Sequence, residues 1–205
     1  MNHYELSKEL KVLYQSTKKE PFLVDVPTME YLTFDGKGHP EEEDFQIACE
    51  ALYTLSYIIK FEISRKELDR DYKVSPMEVT WYLDKGKEGI SFSWTMMIRQ
   101  PEFITGEMVD KALQMAKEKG KKIDYNRVFY RSVAFGRCIQ CFHLGDYNTM
   151  NATLEKMIDY AKDNELDYDQ YTHDLYLNNM RKTKVENYKT IMRIRVRDSS
   201  QLKEG

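Results

Sequence analysis

Two carboxylates stand in short runs that alternate apolar or aromatic residues with polar ones. Glu78 lies in Pro76-Met77-Glu78-Val79-Thr80-Trp81-Tyr82-Leu83, and Asp174 lies in Tyr171-Thr172-His173-Asp174-Leu175-Tyr176-Leu177. A period of two makes the first run a strand, with Met77, Val79, Trp81 and Leu83 on one face and Glu78, Thr80 and Tyr82 on the other. In an apolar recess, desolvation disfavours the charged form of Glu78. That suits it to act as counter-ion to a cationic ligand or as general base toward water. The plain alternative is a solvated Glu on the outer face of a strand. Asp174, one carbon shorter, is either a second pocket group or a structural partner of Tyr176 or of a water. Trp81, Tyr82, Trp94 and Tyr176 are candidate aromatic walls, and an aromatic face over a cation contributes about 0.5–2 kcal/mol. Trp81 and Trp94 fall on apolar faces, where core packing competes, whereas Tyr82 shares the face of Glu78.

Other chemistries find less support. His143 and His173 have no partner at metal-ligand spacing, so no metal and no cofactor is expected. Cys138 and Cys141 are spaced like a redox or zinc pair, but residues three apart on a strand point to opposite faces. No Gly-x-Ser-x-Gly elbow occurs, and Gly36-Lys37-Gly38 lacks the rest of either nucleotide fingerprint. The formal net charge of −3 gives no basic excess for phosphates, so nucleic acid is not an expected partner. No apolar run is long enough for a bilayer and no signal-peptide pattern opens the sequence, so no membrane partner is expected. The odd count of three cysteines fits a reducing cytoplasm. A monomer or homodimer is expected.

The elements that must position these residues follow from periodicity. Leu6, Leu10, Leu13 and Tyr14 mark a short amphipathic helix that ends at Pro21. Met29 to Phe34 reads as a strand, broken by Asp35-Gly36-Lys37-Gly38-His39-Pro40. The acidic run Glu41 to Asp44 complements the N-terminal dipole of a helix whose stripe is Phe45, Ala48, Cys49, Leu52, Leu55 and Ile59. A charged connector from Ser64 to Lys73 leads to the Glu78 strand. A turn over 85–89 joins it to a second strand, Ile90 to Arg99. A helix follows over about 104–119, with Gly120 as its C-cap, then a strand from about Arg127 to Phe135. The pattern then returns: a strand over 137–143, the turn Leu144-Gly145-Asp146-Tyr147, a helix over 148–162, and strands over 171–177 and 188–196. The expectation is an α+β fold of two β-α-β-β units in one domain over 1–205, with pseudo-repeats at about 27–101 and 127–197. Their curved antiparallel sheet carries helices on one side and a ligand cleft on the other.

Six segments in order give the sequence a family likeness. They are Tyr31-Leu32-Thr33-Phe34-Asp35-Gly36-Lys37-Gly38-His39-Pro40, Ser75-Pro76-Met77-Glu78-Val79-Thr80-Trp81-Tyr82, Trp94-Thr95-Met96-Met97-Ile98-Arg99-Gln100-Pro101, Gln140-Cys141-Phe142-His143-Leu144-Gly145-Asp146-Tyr147, His173-Asp174-Leu175-Tyr176-Leu177 and Lys189-Thr190-Ile191-Met192-Arg193. Over about residues 27–197 the chain resembles the GyrI-like small-molecule-binding family, whose fold recurs in effector-binding domains of multidrug-responsive transcription regulators. The resemblance implies a stand-alone binding protein for hydrophobic, planar or cationic compounds, acting in drug or toxin resistance. It implies a ligand set of Glu78, Thr80, Trp81, Tyr82, Trp94, Tyr147 and Tyr176. One branch of the family hydrolyses cyclopropane-bearing DNA-alkylating natural products. That likeness implies a hydrolase alternative in which Glu78, Asp174 and Tyr176 are catalytic, although the branch has Glu where this chain has Asp174. A third alternative is a protein inhibitor of a topoisomerase. No helix-turn-helix segment precedes the family-like region, so a complete one-chain regulator is not expected.

Overall fold

The computed structural model describes residues 2–86, 89–120, 124–179 and 182–198. In chain order the elements are β1 (Asn2–His3), α1 (Lys8–Gln15), β2 (Phe22–Val26), β3 (Met29–Lys37), α2 (Glu43–Ile58), a π-helical segment Ile59–Ser64, α3 (Arg65–Leu68), β4 (Arg70–Asp71), β5 (Met77–Gly86), β6 (Gly89–Arg99), α4 (Gly106–Glu118), β7 (Val128–Val133), β8 (Gly136–Leu144), α5 (Met150–Asp163), β9 (Leu166–Tyr168), β10 (Thr172–Tyr176) and β11 (Lys189–Asp198). The expected turn residues Lys87 and Glu88 lie outside the described residues. The fold is α+β with antiparallel sheet pairing, as expected. It divides into two compact units. The first comprises Met1–Leu6, Met29–Val79 and Leu83–Val133, and the second Ser7–Thr28, Thr80–Tyr82 and Ala134–Gly205.

In the first unit the strands run β7-β3-β6-β5. Cross-strand partners point to the same side of a sheet, so the pairs Leu32 with Ile98, Phe34 with Met96 and Gly36 with Trp94 share one face. Helix α2 covers that face, and its Phe45 ring meets the Trp94 indole edge-on with centroids 5.1 Å apart. Of the helix stripe read from spacing, Phe45, Ala48, Leu52, Leu55 and Ile59 are buried and Cys49 is half-buried. Helix α4 packs against α2. Gly120 follows it in the left-handed conformation (φ 65°), the geometry expected of a glycine past a helix end.

The expected connector at Ser64–Lys73 is instead helical as far as Leu68, and ends where Asp69 turns left-handed at φ 51°. Charge made this stretch look like a linker, but the charges are paired. Arg65 donates twice to Asp71, at 2.8 and 2.7 Å, and the Ser64 hydroxyl donates to the Arg70 carbonyl at 2.7 Å.

In the second unit the strands run β2-β8-β11-β10, with β9 paired to the far end of β11. This is the order of the first unit: an outer strand, the strand before the helix, the last strand, the third strand. The outer strands are not those of the expected repeats. β2, which precedes β3 in sequence, pairs with β8, and β7, which precedes β8, pairs with β3. Helix α5 packs its Met157 and Ala161 on Ile139, Cys141, Met192 and Ile194.

Helix α1 is held to the second unit by two buried polar residues. Arg193 and Gln140 pair across β11 and β8 and face away from the α5 side. Arg193 donates to the Leu13 carbonyl at 2.6 Å and Gln140 to the Val12 carbonyl at 3.0 Å, and the Arg193 Nε–H reaches Gln140 Oε1 at 2.9 Å. A buried cation thus meets the negative, carbonyl-bearing end of a helix.

Candidate functional site

Asp174 is the third residue of β10 and is 4% exposed. It pairs across the sheet with Met192, which pairs with Cys141, so all three point to the α5 side of this unit. The cross-strand neighbours of Asp174 are the ones α5 packs on. Oδ2 accepts a long hydrogen bond from the Thr172 hydroxyl at 3.5 Å, and Oδ1 has no hydrogen-bond partner among the described residues. Burial pushes the carboxyl up to about 8, opposed only by that Thr172 contact.

The surrounding groups are aromatic. Tyr176, two residues along the strand, shares the face of Asp174, and its Oη accepts from the Trp81 indole N–H at 3.0 Å. The Tyr147 ring meets Tyr176 edge-on at 5.7 Å and stacks on Tyr188 at 5.2 Å. Burial first, and the Asp174 charge after it, push the Tyr176 phenol well above its ordinary value. Burial, Tyr188 and Asp174 raise Tyr147 in the same way.

The turn sequence explains the placement of Tyr147. Gly145 adopts φ 121°, a region that favours glycine, and its N–H donates to the Tyr188 carbonyl at 2.9 Å. Asp146 then caps the following turn by accepting from the Asn148 N–H at 2.9 Å. The Tyr147 and Tyr188 rings are therefore brought together by backbone.

In β5, Trp81, a candidate aromatic wall on the apolar face, is the residue that joins Tyr176. Thr80, read as pocket-facing, is buried with its hydroxyl 2.9 Å from His173 Nδ1, and Phe135 lies on that imidazole at 4.1 Å. His173 pairs with Arg193, on the side away from Asp174. Tyr82 is 40% exposed and lies 5.4 Å from the Tyr171 ring. In the first unit, Glu78 is fully buried, and Trp94 is enclosed by Phe34 and Phe45. The second unit thus brings together Asp174, Tyr176, Tyr147 and Trp81, and puts Thr80 and Tyr82 elsewhere.

Tyr188 and Thr172 were not singled out from sequence. Tyr188 stands just before β11 and opposite the glycine turn, a pairing that only strand register reveals. Among the described residues no three His, Cys, Asp or Glu side chains are grouped to hold a metal ion. Cys138 and Cys141 are buried, burial pushes the Cys138 thiol up to about 11, and Cys141 Sγ donates to the Lys19 carbonyl at 3.1 Å.

Residues 19–197 match the GyrI-like small molecule binding domain. The chain belongs to that family. A GyrI-like chain of this kind is similar in structure to a conserved protein from Listeria innocua, at 30% identity and a TM-score of 0.85, with 96% of this chain and 100% of that one covered. It is also similar to a hydrolase from Listeria innocua, at 31% identity and a TM-score of 0.82, with coverage of 93% and 98%. The C-terminal domain of EcmrR shares the fold at 10% identity and a TM-score of 0.55, with 87% and 98% covered. No curated protein matches the sequence. Among the described residues no helix is long and apolar enough to cross a membrane.

Proposed function

We propose that this GyrI-like chain binds hydrophobic, planar small molecules at the aromatic group around Asp174, and that it does so in drug or toxin resistance. The observation that carries the reading is the buried Asp174 Oδ1 without a partner, beside the connected rings of Trp81, Tyr176, Tyr147 and Tyr188. A buried polar atom left unsatisfied costs about 1–3 kcal/mol, which a ligand group can recover. Aromatic walls supply affinity without demanding one exact shape.

The chain has two tryptophans, and Trp94 is packed in the core of the first unit. Trp94→Phe therefore leaves Trp81 as the sole indole reporter. Planar hydrophobic compounds should change Trp81 emission with affinities in the micromolar range, roughly −8 kcal/mol. A broad panel of neutral and cationic planar compounds that leaves the emission unchanged refutes the reading.

The 31% identity to a hydrolase that aligns almost end to end favours a second reading, hydrolysis, for which the family resemblance suggests strained, cyclopropane-bearing electrophiles as substrates. Asp174 would orient water, and the Tyr176 hydroxyl would support the oxygen that gains charge. The shorter Asp174 displaces its carboxyl relative to a Glu, a misplacement that can cost on the order of a hundredfold in rate. Wild type should turn over a cyclopropane-bearing alkylator weakly, and Asp174→Glu faster. Rapid wild-type turnover that survives Asp174→Asn argues against this assignment.

A further inference from the structure

Thr190 carries a second orphan. Its side chain is completely buried, and Oγ1, like Asp174 Oδ1, has no partner among the described residues. Thr190 pairs with Tyr176, and Asp174 pairs with Met192, so Thr190 and Asp174 are diagonal neighbours on adjacent strands and share the α5 side of the sheet. Diagonal neighbours of this kind lie about 7–8 Å apart, with their Cβ atoms somewhat closer.

We propose that Asp174 and Thr190 act as a paired, uncharged hydrogen-bonding site that recognises an acceptor group, such as a carbonyl, on a planar ligand, and so disfavours cations of the same shape. This rests on the reading of the Asp174 surroundings as a ligand site.

The surroundings support an uncharged role. Tyr176 faces Asp174 from its own strand, Met192 and Thr190 from β11, Cys141 and His143 from β8, and Tyr147 and Tyr188 from the adjoining turns. The His143 ring is turned to other partners: Nδ1 lies 2.8 Å from the Thr153 hydroxyl, and Nε2 lies 3.1 Å from the Asp146 carbonyl. Among the described residues no Lys or Arg contributes to the environment of the Asp174 carboxyl, and burial favours its protonated form through neutral pH. A protonated carboxyl has an O–H to donate, and a threonine hydroxyl has another. A ligand carbonyl accepts from both. A cation offers only donors, and it would have to drive the proton off Asp174 before forming an ion pair.

The test compares three tricyclic probes of similar size: 9-fluorenone, with a carbonyl; fluorene, the same skeleton without it; and proflavine, a planar cation. Binding to the full chain is followed by Trp81 fluorescence. At about pH 6 fluorenone should bind roughly tenfold more tightly than fluorene, the effect of one to two neutral hydrogen bonds. Thr190→Val should remove several-fold of that preference. The preference should weaken as pH rises toward about 9 in the wild type and stay level in Asp174→Asn, whose amide donates at every pH. Equal wild-type affinities for fluorenone and fluorene, or tighter binding of proflavine than of fluorenone at about pH 6, overturn the proposal while ligand binding itself stands. Binding of none of the three, together with the wider panel, overturns the binding function and this inference with it.

Discussion

Replacing Asp174 by Asn removes a proton site while keeping a polar side chain of nearly the same size. In the folded chain the carboxyl is pushed up to about 8 by burial, against an ordinary value of 3.8. At acid pH below both values the carboxyl is protonated in both states and imposes no ionisation penalty. As pH rises past the ordinary value, the unfolded chain releases the proton and the folded chain keeps it, so stability falls. The slope is about 1.4 kcal/mol per pH unit and flattens once the folded carboxyl ionises. Between about pH 5 and pH 7 the wild type should therefore lose roughly 3 kcal/mol relative to Asp174→Asn, and the gap should level off above about pH 8. Urea unfolding of both proteins across this range reads the difference directly, and taking the difference cancels the titration of every other group. Curves that stay parallel within about 0.5 kcal/mol from acid to alkaline pH would refute the reasoning, because a buried carboxyl cannot lack this linkage.

Gly36→Ala should destabilise the first unit by about 1–3 kcal/mol in urea unfolding, because of overpacking. A Cβ there would lie 2.2–2.7 Å from carbons of the Trp94 ring, which Phe34 and Phe45 brace from behind. Arg193→Met should free the last turn of α1, seen as faster amide exchange in α1 than in α5, since two carbonyl-directed anchors begin at Arg193 and its partner Gln140. Asp71→Asn should remove stability that the wild type has above about pH 4 and loses in more acid solution, because Arg65 holds the Asp71 carboxyl well below its ordinary range. Thermal melts from about pH 2 to pH 7 test this last expectation, with the two proteins converging at the acid end.

Periodicity made the helices legible. The stripe Phe45, Ala48, Cys49, Leu52, Leu55 and Ile59 follows from spacing, and all of it but the half-buried Cys49 is buried. Strand faces were harder, because period two says which residues share a face and not what covers it. Residues 138 to 143 of β8 are buried without a break, because α5 lies on one side and Arg193 and Gln140 hold α1 on the other. In β5 the same ambiguity left open which face lines the site: Trp81 and Tyr82 fall on opposite faces, and Trp81 is the one that reaches Tyr176. The exchange of outer strands, β2 to β8 and β7 to β3, leaves no local signal, since either strand would satisfy either edge. Orphan atoms such as Thr190 Oγ1 are also invisible in sequence, because a threonine on a strand is an ordinary β-former until its neighbours are known.

Two buried threonines separate packing from recognition. Thr80 and Thr190 each stand on a strand with the side chain out of solvent. The Thr80 hydroxyl sits 2.9 Å from His173 Nδ1, whereas the Thr190 hydroxyl has no partner among the described residues. Valine matches threonine in shape and lacks the hydroxyl. Thr80→Val should destabilise by about 1–3 kcal/mol, since it strips a partner from a buried ring nitrogen. Thr190→Val should be neutral or stabilising by up to about 1 kcal/mol, since it deletes an unsatisfied group and leaves no other behind. A residue whose replacement raises stability and lowers ligand discrimination is one the fold retains at the expense of packing, as binding sites commonly do. If Thr190→Val instead unfolds at markedly lower urea than wild type, its hydroxyl serves the fold, and the paired recognition site loses one of its two members.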